Sequence, residues 1–148
     1  MEAAPIEHEV DAVLALRRRK GMVIDPEDPD SVSAGSFFVN PVLSQDEFTA
    51  LQRTVIDQLG ADAKPPCWPE ADGRVKTSAA WLIERAGFRR GYGNGRVGVS
   101  NKHTLALVNR GGGTTEELLT LARELRDGVR SQFGVTLRAE PTLVGVEL

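Results

Sequence analysis

Apolar positions recur at helical spacing in four stretches of the chain. Ile6, Val10, Val13, Leu14 and Ala15 predict a helix over residues 6–19. Acidic residues fall early in it and Arg17-Arg18-Arg19-Lys20 fall at its end, an order that suits the helix dipole. Gly21 is the expected stop. Ser44 followed by Glu47 reads as a capping box, opening a helix with Phe48, Leu51, Val55, Ile56 and Leu59 on one side. Residues 77–86 read as a short, largely apolar helix ended by Gly87. Thr114 and Glu117 open the clearest one, in which Leu118, Ala122, Leu125, Val129 and Phe133 recur down to Gly134.

Between these helices lie three strand-like runs. "SFFVN" (36–40) is closed by Pro41, "TLALVN" (104–109) reads as a buried strand, and "TLRAEPTLVGV" (136–146) as a final one. "IDPEDPDSVSAG" (24–35), "KPPCWPEADG" (64–73) and "GYGNGRVGVS" (91–100) read as loops. Helices and strands alternate without strict βαβ repetition. The expected fold is α+β, a single domain with one mixed sheet packed by about three to four helices.

Composition narrows the function. A chain of 148 residues with 41% hydrophobic and 26% charged content is of globular type and long enough to bury a core. A net charge of −3 argues against general affinity for nucleic acid or acidic membranes, so neither is expected as a partner. No apolar run approaches the ~18 residues of a bilayer span, and "MEAAPIEHEV" lacks the layout of a signal peptide. Cys67 is the only cysteine, which excludes an intrachain disulfide and fits a reducing, cytoplasmic setting. No histidine or carboxylate pair has metal-ligand spacing.

Several residues then compete for a role in chemistry. "GNGRVG" spells G-x-G-x-x-G at Gly93, Gly95 and Gly98, but a helix precedes it and a strand follows. A dinucleotide loop needs the reverse order, so a tightly turning loop is the better reading. The Arg17–Lys20 run is either a phosphate patch or a solvated helix end, and His103 either a ligand contact or a polar surface residue. His8 carries no signal. Glu140 lies inside an apolar run before Pro141, where an acid is costly unless solvated, paired or functional. The Ser36 hydroxyl can serve a turn or the backbone, and no G-x-S-x-G elbow surrounds it.

Four ordered motifs decide among these readings. "GSFFVNP", "WPEADGRVKTSAAWLIERAGF", "VSNKHTLALVNRGG" and "FGVTLRAEPTLVG" together resemble the C-terminal domain of the UDP-N-acetylenolpyruvoylglucosamine reductase (UDP-N-acetylmuramate dehydrogenase, MurB) family. The resemblance covers roughly residues 10–148, and "RRRKGMVIDPEDPD" resembles the actinobacterial branch. It implies a flavoenzyme of peptidoglycan synthesis, with FAD and NADPH as cofactors and UDP-N-acetylglucosamine enolpyruvate as substrate. It implies that Ser36 donates a proton after hydride transfer and that Glu140 stabilises or helps protonate the intermediate. By the same resemblance Lys20 and Asn40 hold the diphosphate, His103 contacts the nucleotide, and Arg89 or Arg90 serves similarly.

The resemblance further implies that residues 1–20 lead in from a missing FAD-binding region and that 21–148 form the substrate-binding domain. The chain alone is then expected neither to bind FAD tightly nor to turn over, its partner being the FAD-binding domains. The competing expectation is a non-catalytic binding module that keeps only the fold.

Overall fold

A computed structural model describes residues 6–148. Helix α1 (Ile6–Arg19) forms where the spacing places it, but its apolar face is not folded onto the core. Val10, Val13 and Leu16 are each about half exposed. Periodicity establishes that a helix has an apolar face, not that the same domain covers it. At its end Gly21 (φ +67) and Met22 return their amide protons to Arg18 and Arg17, and the chain turns sharply into a loop. An alanine Cβ at Gly21 would stand 3.1 Å from the Asp30 carbonyl oxygen in a left-handed backbone, so the turn is specific to glycine.

That loop is fastened to the body of the domain by Asp30, only 2% exposed. Its carboxylate meets Arg110 Nε at 2.9 Å and accepts from the Asn101 amide at 2.6 Å. Burial by itself would raise the carboxyl, but the Asn101 amide and the Arg110 charge hold it below the ordinary carboxylate value. Ser31 closes the other end, donating to the Asp25 carbonyl and accepting from its amide.

Two sheets follow, β1 (Ser33–Ser36) with β6 (Ala106–Asn109) and β5 (Val97–Val99), and β2 (Val42–Leu43) with β4 (Val75–Thr77) and β3 (Cys67–Pro69). Their orders are β1-β6-β5 and β2-β4-β3, and every pairing is antiparallel. The α+β class is as expected, but two antiparallel sheets replace the single mixed one. Short reversals impose this: Glu70 and Arg74 close a tight turn between β3 and β4, which leaves no room for a parallel crossover.

Helices α2 (Gln45–Leu59) and α4 (Thr115–Phe133) both begin with complete capping boxes, at Ser44/Glu47 and Thr114/Glu117. Helix α3 (Ala79–Arg85) starts on the Ser78 hydroxyl. Leu51, Val55, Leu82, Ile83, Val99, Leu125 and Val129 form the centre of one shared core. "SFFVN" is only partly the expected strand. β1 ends at Ser36, and Phe37 and Phe38 turn into the core in an edge-to-face pair 5.0 Å apart. The final run is not a strand. Its backbone pairing with the rest is a single bridge, Phe38 to Ala139, with the Val39 amide bonded to Arg138 and the Glu140 amide to Phe37, while Leu137 is buried in the core. Pro141 has no amide to continue that ladder.

Candidate active site

Ser36 owes its position to a bulge. β1 pairs Ser33 with Val108 and Ser36 with Ala106, so three steps on one strand face two on the other. Gly35 absorbs the extra residue at φ +82, a conformation that glycine adopts without strain. The Ser33 hydroxyl accepts from the Gly35 amide and holds the bulge closed. A bulge of this kind re-aims the side chain that follows it, here Ser36.

The Ser36 hydroxyl stands apart from its neighbours. The hydroxyls of Ser31, Ser33, Ser44, Ser78 and Ser100 all engage backbone or an acid. Among the described residues the half-buried Ser36 side chain has no such partner. It lines a cavity of about 590 Å³ together with Glu140, Lys20 and Arg17. Leu16, Met22 and Ile24 make its apolar wall. Glu140 is brought there by its own backbone, whose amide donates to the Phe37 carbonyl at 2.8 Å. The two phenylalanines do not line the cavity; they anchor its floor to the core.

A second cavity, about 370 Å³, adjoins through Lys20, which lines both. Its other walls include His103, Arg90, Lys102, Trp81 and Glu84. His103 Nδ1 accepts from the Leu105 amide at 3.1 Å, which leaves Nε2 as the donor of a neutral ring. Burial first, and then the charges of Lys20 and Arg90, hold the imidazole below its ordinary value. An NMR titration should place the His103 midpoint below the usual histidine range and move it upward in Lys20→Ala; an unchanged midpoint in that variant would separate the two side chains.

The remaining expected residues are placed differently. Asn40 Oδ1 accepts from the Ala79 amide at 3.0 Å, fixing the start of α3, and Asn40 lines a separate groove with Arg74, Arg130 and Arg138. Arg90 lies on the second cavity with its Nε 3.8 Å from Glu84 Oε1. Arg89 is exposed and lines neither cavity. His8 lies where only the backbone is described. The sequence did not single out Trp81, whose ring carries the Arg85 guanidinium 5.5 Å from its centroid, and it named Arg17, which lines the first cavity, only as part of the Arg17–Lys20 run. The spacing of Arg17 three residues before Lys20 was the available signal.

The Gly-rich run is not the dinucleotide loop its spelling suggests. Gly93 bridges Gly98 across a hairpin that feeds β5, so the G-x-G-x-x-G run opens no helix. The described residues contain no cluster of three metal-ligating side chains. No described helix is long and apolar enough to cross a membrane.

Comparison with known proteins adds a family. Residues 26–144 match the model of the UDP-N-acetylenolpyruvoylglucosamine reductase C-terminal domain. The UDP-N-acetylenolpyruvoylglucosamine reductase of Thermobifida fusca is 61% identical over 147 residues, covering 99% of this chain and 41% of that protein. The Streptomyces avermitilis enzyme of the same name is 57% identical over 99% of the chain and 40% of its own length. That of Mycobacterium tuberculosis is 52% identical over 93% of the chain and 37% of its own. The chain thus spans about two fifths of the length of the curated relatives it matches.

Proposed function

The chain belongs to the UDP-N-acetylenolpyruvoylglucosamine reductase family, matching its C-terminal domain, and from that membership we propose that it binds the sugar nucleotide substrate and protonates it. The observation that carries this reading is that Ser36, Glu140 and Lys20 line one cavity, with Lys20 shared with a second. The enolpyruvyl group occupies the Ser36 cavity, the nucleoside lies toward His103 and Trp81, and the diphosphate sits at Lys20 between them.

The family's redox chemistry needs FAD and NADPH, and no step by the described residues is routed through them. Their task begins when hydride has reached the terminal vinyl carbon. The electron pair then resides on the adjacent carbon and its carboxylate. The Ser36 O–H bond breaks and its proton goes to that carbon; the alkoxide recovers a proton from water. A serine is a weak acid in water, but a positioned hydroxyl with no competing partner can donate to a developing carbanion. Glu140 supplies a fixed polar group beside it. Asn40 acts indirectly, by fixing the helix that carries Trp81.

Calorimetry with UDP-N-acetylglucosamine enolpyruvate tests the binding half of this proposal. Lys20→Ala should weaken binding about tenfold or more, as expected for loss of a charge-assisted contact to phosphate. Unchanged affinity in that variant would remove the diphosphate from Lys20. A non-catalytic binding module would bind equally well, and is distinguished by the Ser36 variant considered in the Discussion.

A further inference from the structure

The segment after α4 has the patterning of a strand and no neighbour. Val135 and Leu137 are buried while Thr136 and Arg138 are exposed, the alternation of a half-buried strand. Yet among the described residues Val135, Thr136 and Leu137 make no backbone hydrogen bond, and Arg138 only accepts one, from Val39. Pro41 is the cause. The ladder runs from Glu140 and Phe37 to Val39 and Arg138, and its next rung needs an amide from residue 41, which proline lacks. From there the two segments part, and both line a groove of about 1000 Å³. β2, an edge strand of its sheet, lines the same groove. The buried Leu51 and Phe133 make an apolar floor.

The charges on the groove are one-sided. Arg74, Arg130 and Arg138 line it against a single acid, Glu47. The Glu47 carboxylate is already spent on the Ser44 amide of the α2 capping box, and Arg74 is held by Asp72. Arg130 and Arg138 are in no ion pair among the described residues. The groove shares no lining residue with the Ser36 and His103 cavities, so the proposed chemistry does not account for it. We propose that it takes up an extended, acidic segment of a partner protein, which adds to residues 135–138 as their missing strand. Main-chain bonds to those residues supply the affinity, and alternate apolar side chains rest on Leu51 and Phe133. The acidic side chains between them meet Arg130 and Arg138, whose guanidinium forks match carboxylates. A basic strand would satisfy the same backbone but face like charge.

The test titrates the 148-residue chain with three labelled short peptides, followed by fluorescence anisotropy. One alternates valine and glutamate, one alternates valine and lysine, and the third is polyglutamate. The valine–glutamate peptide should bind at least about tenfold tighter than either other, and Arg130→Ala with Arg138→Ala should remove about tenfold of that affinity. Both arginines are exposed, so the double variant should melt with the wild type. Hydrogen exchange followed by NMR should show the amides of Val135, Thr136 and Leu137 becoming protected when the peptide binds. Binding that leaves those amides unprotected, or that polyglutamate matches, overturns strand addition in favour of charge alone. Equal affinity for the lysine peptide, or no binding, overturns the acidic partner. Binding that is lost in the full-length family context also overturns it, because the rest of that protein would then cover the groove.

Discussion

Replacing Ser36 by alanine should leave the reduction of flavin by NADPH intact in the full-length family context and slow the flavin's reoxidation by the sugar nucleotide by about 10²–10⁴-fold, the usual contribution of a positioned general acid. The prediction follows from placement. A glycine bulge aims Ser36 into the cavity, and among the described residues its hydroxyl is not spent on the fold. Alanine removes one oxygen from a half-buried site and breaks no internal hydrogen bond there, so stability should hardly change. Rapid-mixing measurement of the two half-reactions separates the cases. Equal loss in both would mean that Ser36 acts through folding. No loss in either would leave the chain a binding module.

Asp30→Ala should cost about 3–5 kcal/mol, because it strands the largely buried Arg110 guanidinium without its carboxylate. For a domain of this size that lowers the melting temperature by roughly 10 °C. The variant also frees the Asn101 amide and detaches the loop that follows Lys20, so nucleotide affinity should fall with stability. The sign of the pH dependence is fixed by the lowered carboxyl. Its stabilisation is fully present above the ordinary carboxylate value and is lost as pH falls through the lower folded value. The gap between wild type and variant should therefore narrow in acid. Thermal melts across that range would contradict the assignment if the gap stayed constant or widened.

What the sequence disclosed, and what it hid, divides along physical lines. Local chemistry was legible: both capping boxes and the α4 stripe depend on residues within two turns of one another, and the structure has them where the spacing put them. β3 was illegible because Pro65, Pro66 and Pro69 carry a loop signature, yet Cys67–Pro69 pairs with β4, which needs few donors from an edge strand. The expected last strand failed for the complementary reason, since apolar content does not replace the missing Pro141 amide. The exposed face of α1 was equally hidden, because a helix period says nothing about what lies against it. In the candidate site, the family motifs named Ser36 and Glu140, which lie far apart in the chain. Their meeting depends on the long-range bridge of Phe38 to Ala139, with the Val39 amide bonded to Arg138 and the Glu140 amide to Phe37. Asn40 was named by its motif, whereas the acceptor role of its Oδ1 toward the Ala79 amide, across 39 residues, could not be read from the sequence.

The central claim is that two cavities joined at Lys20 receive one ligand. Mapping amide chemical shifts while the chain is titrated with UDP-N-acetylglucosamine enolpyruvate tests it most directly. The account predicts that Ser36, Glu140, Lys20, His103 and Trp81 shift together along one binding curve. Shifts confined to the groove of Asn40, Arg130 and Arg138, or two independent curves for the Ser36 and His103 sides, would contradict it.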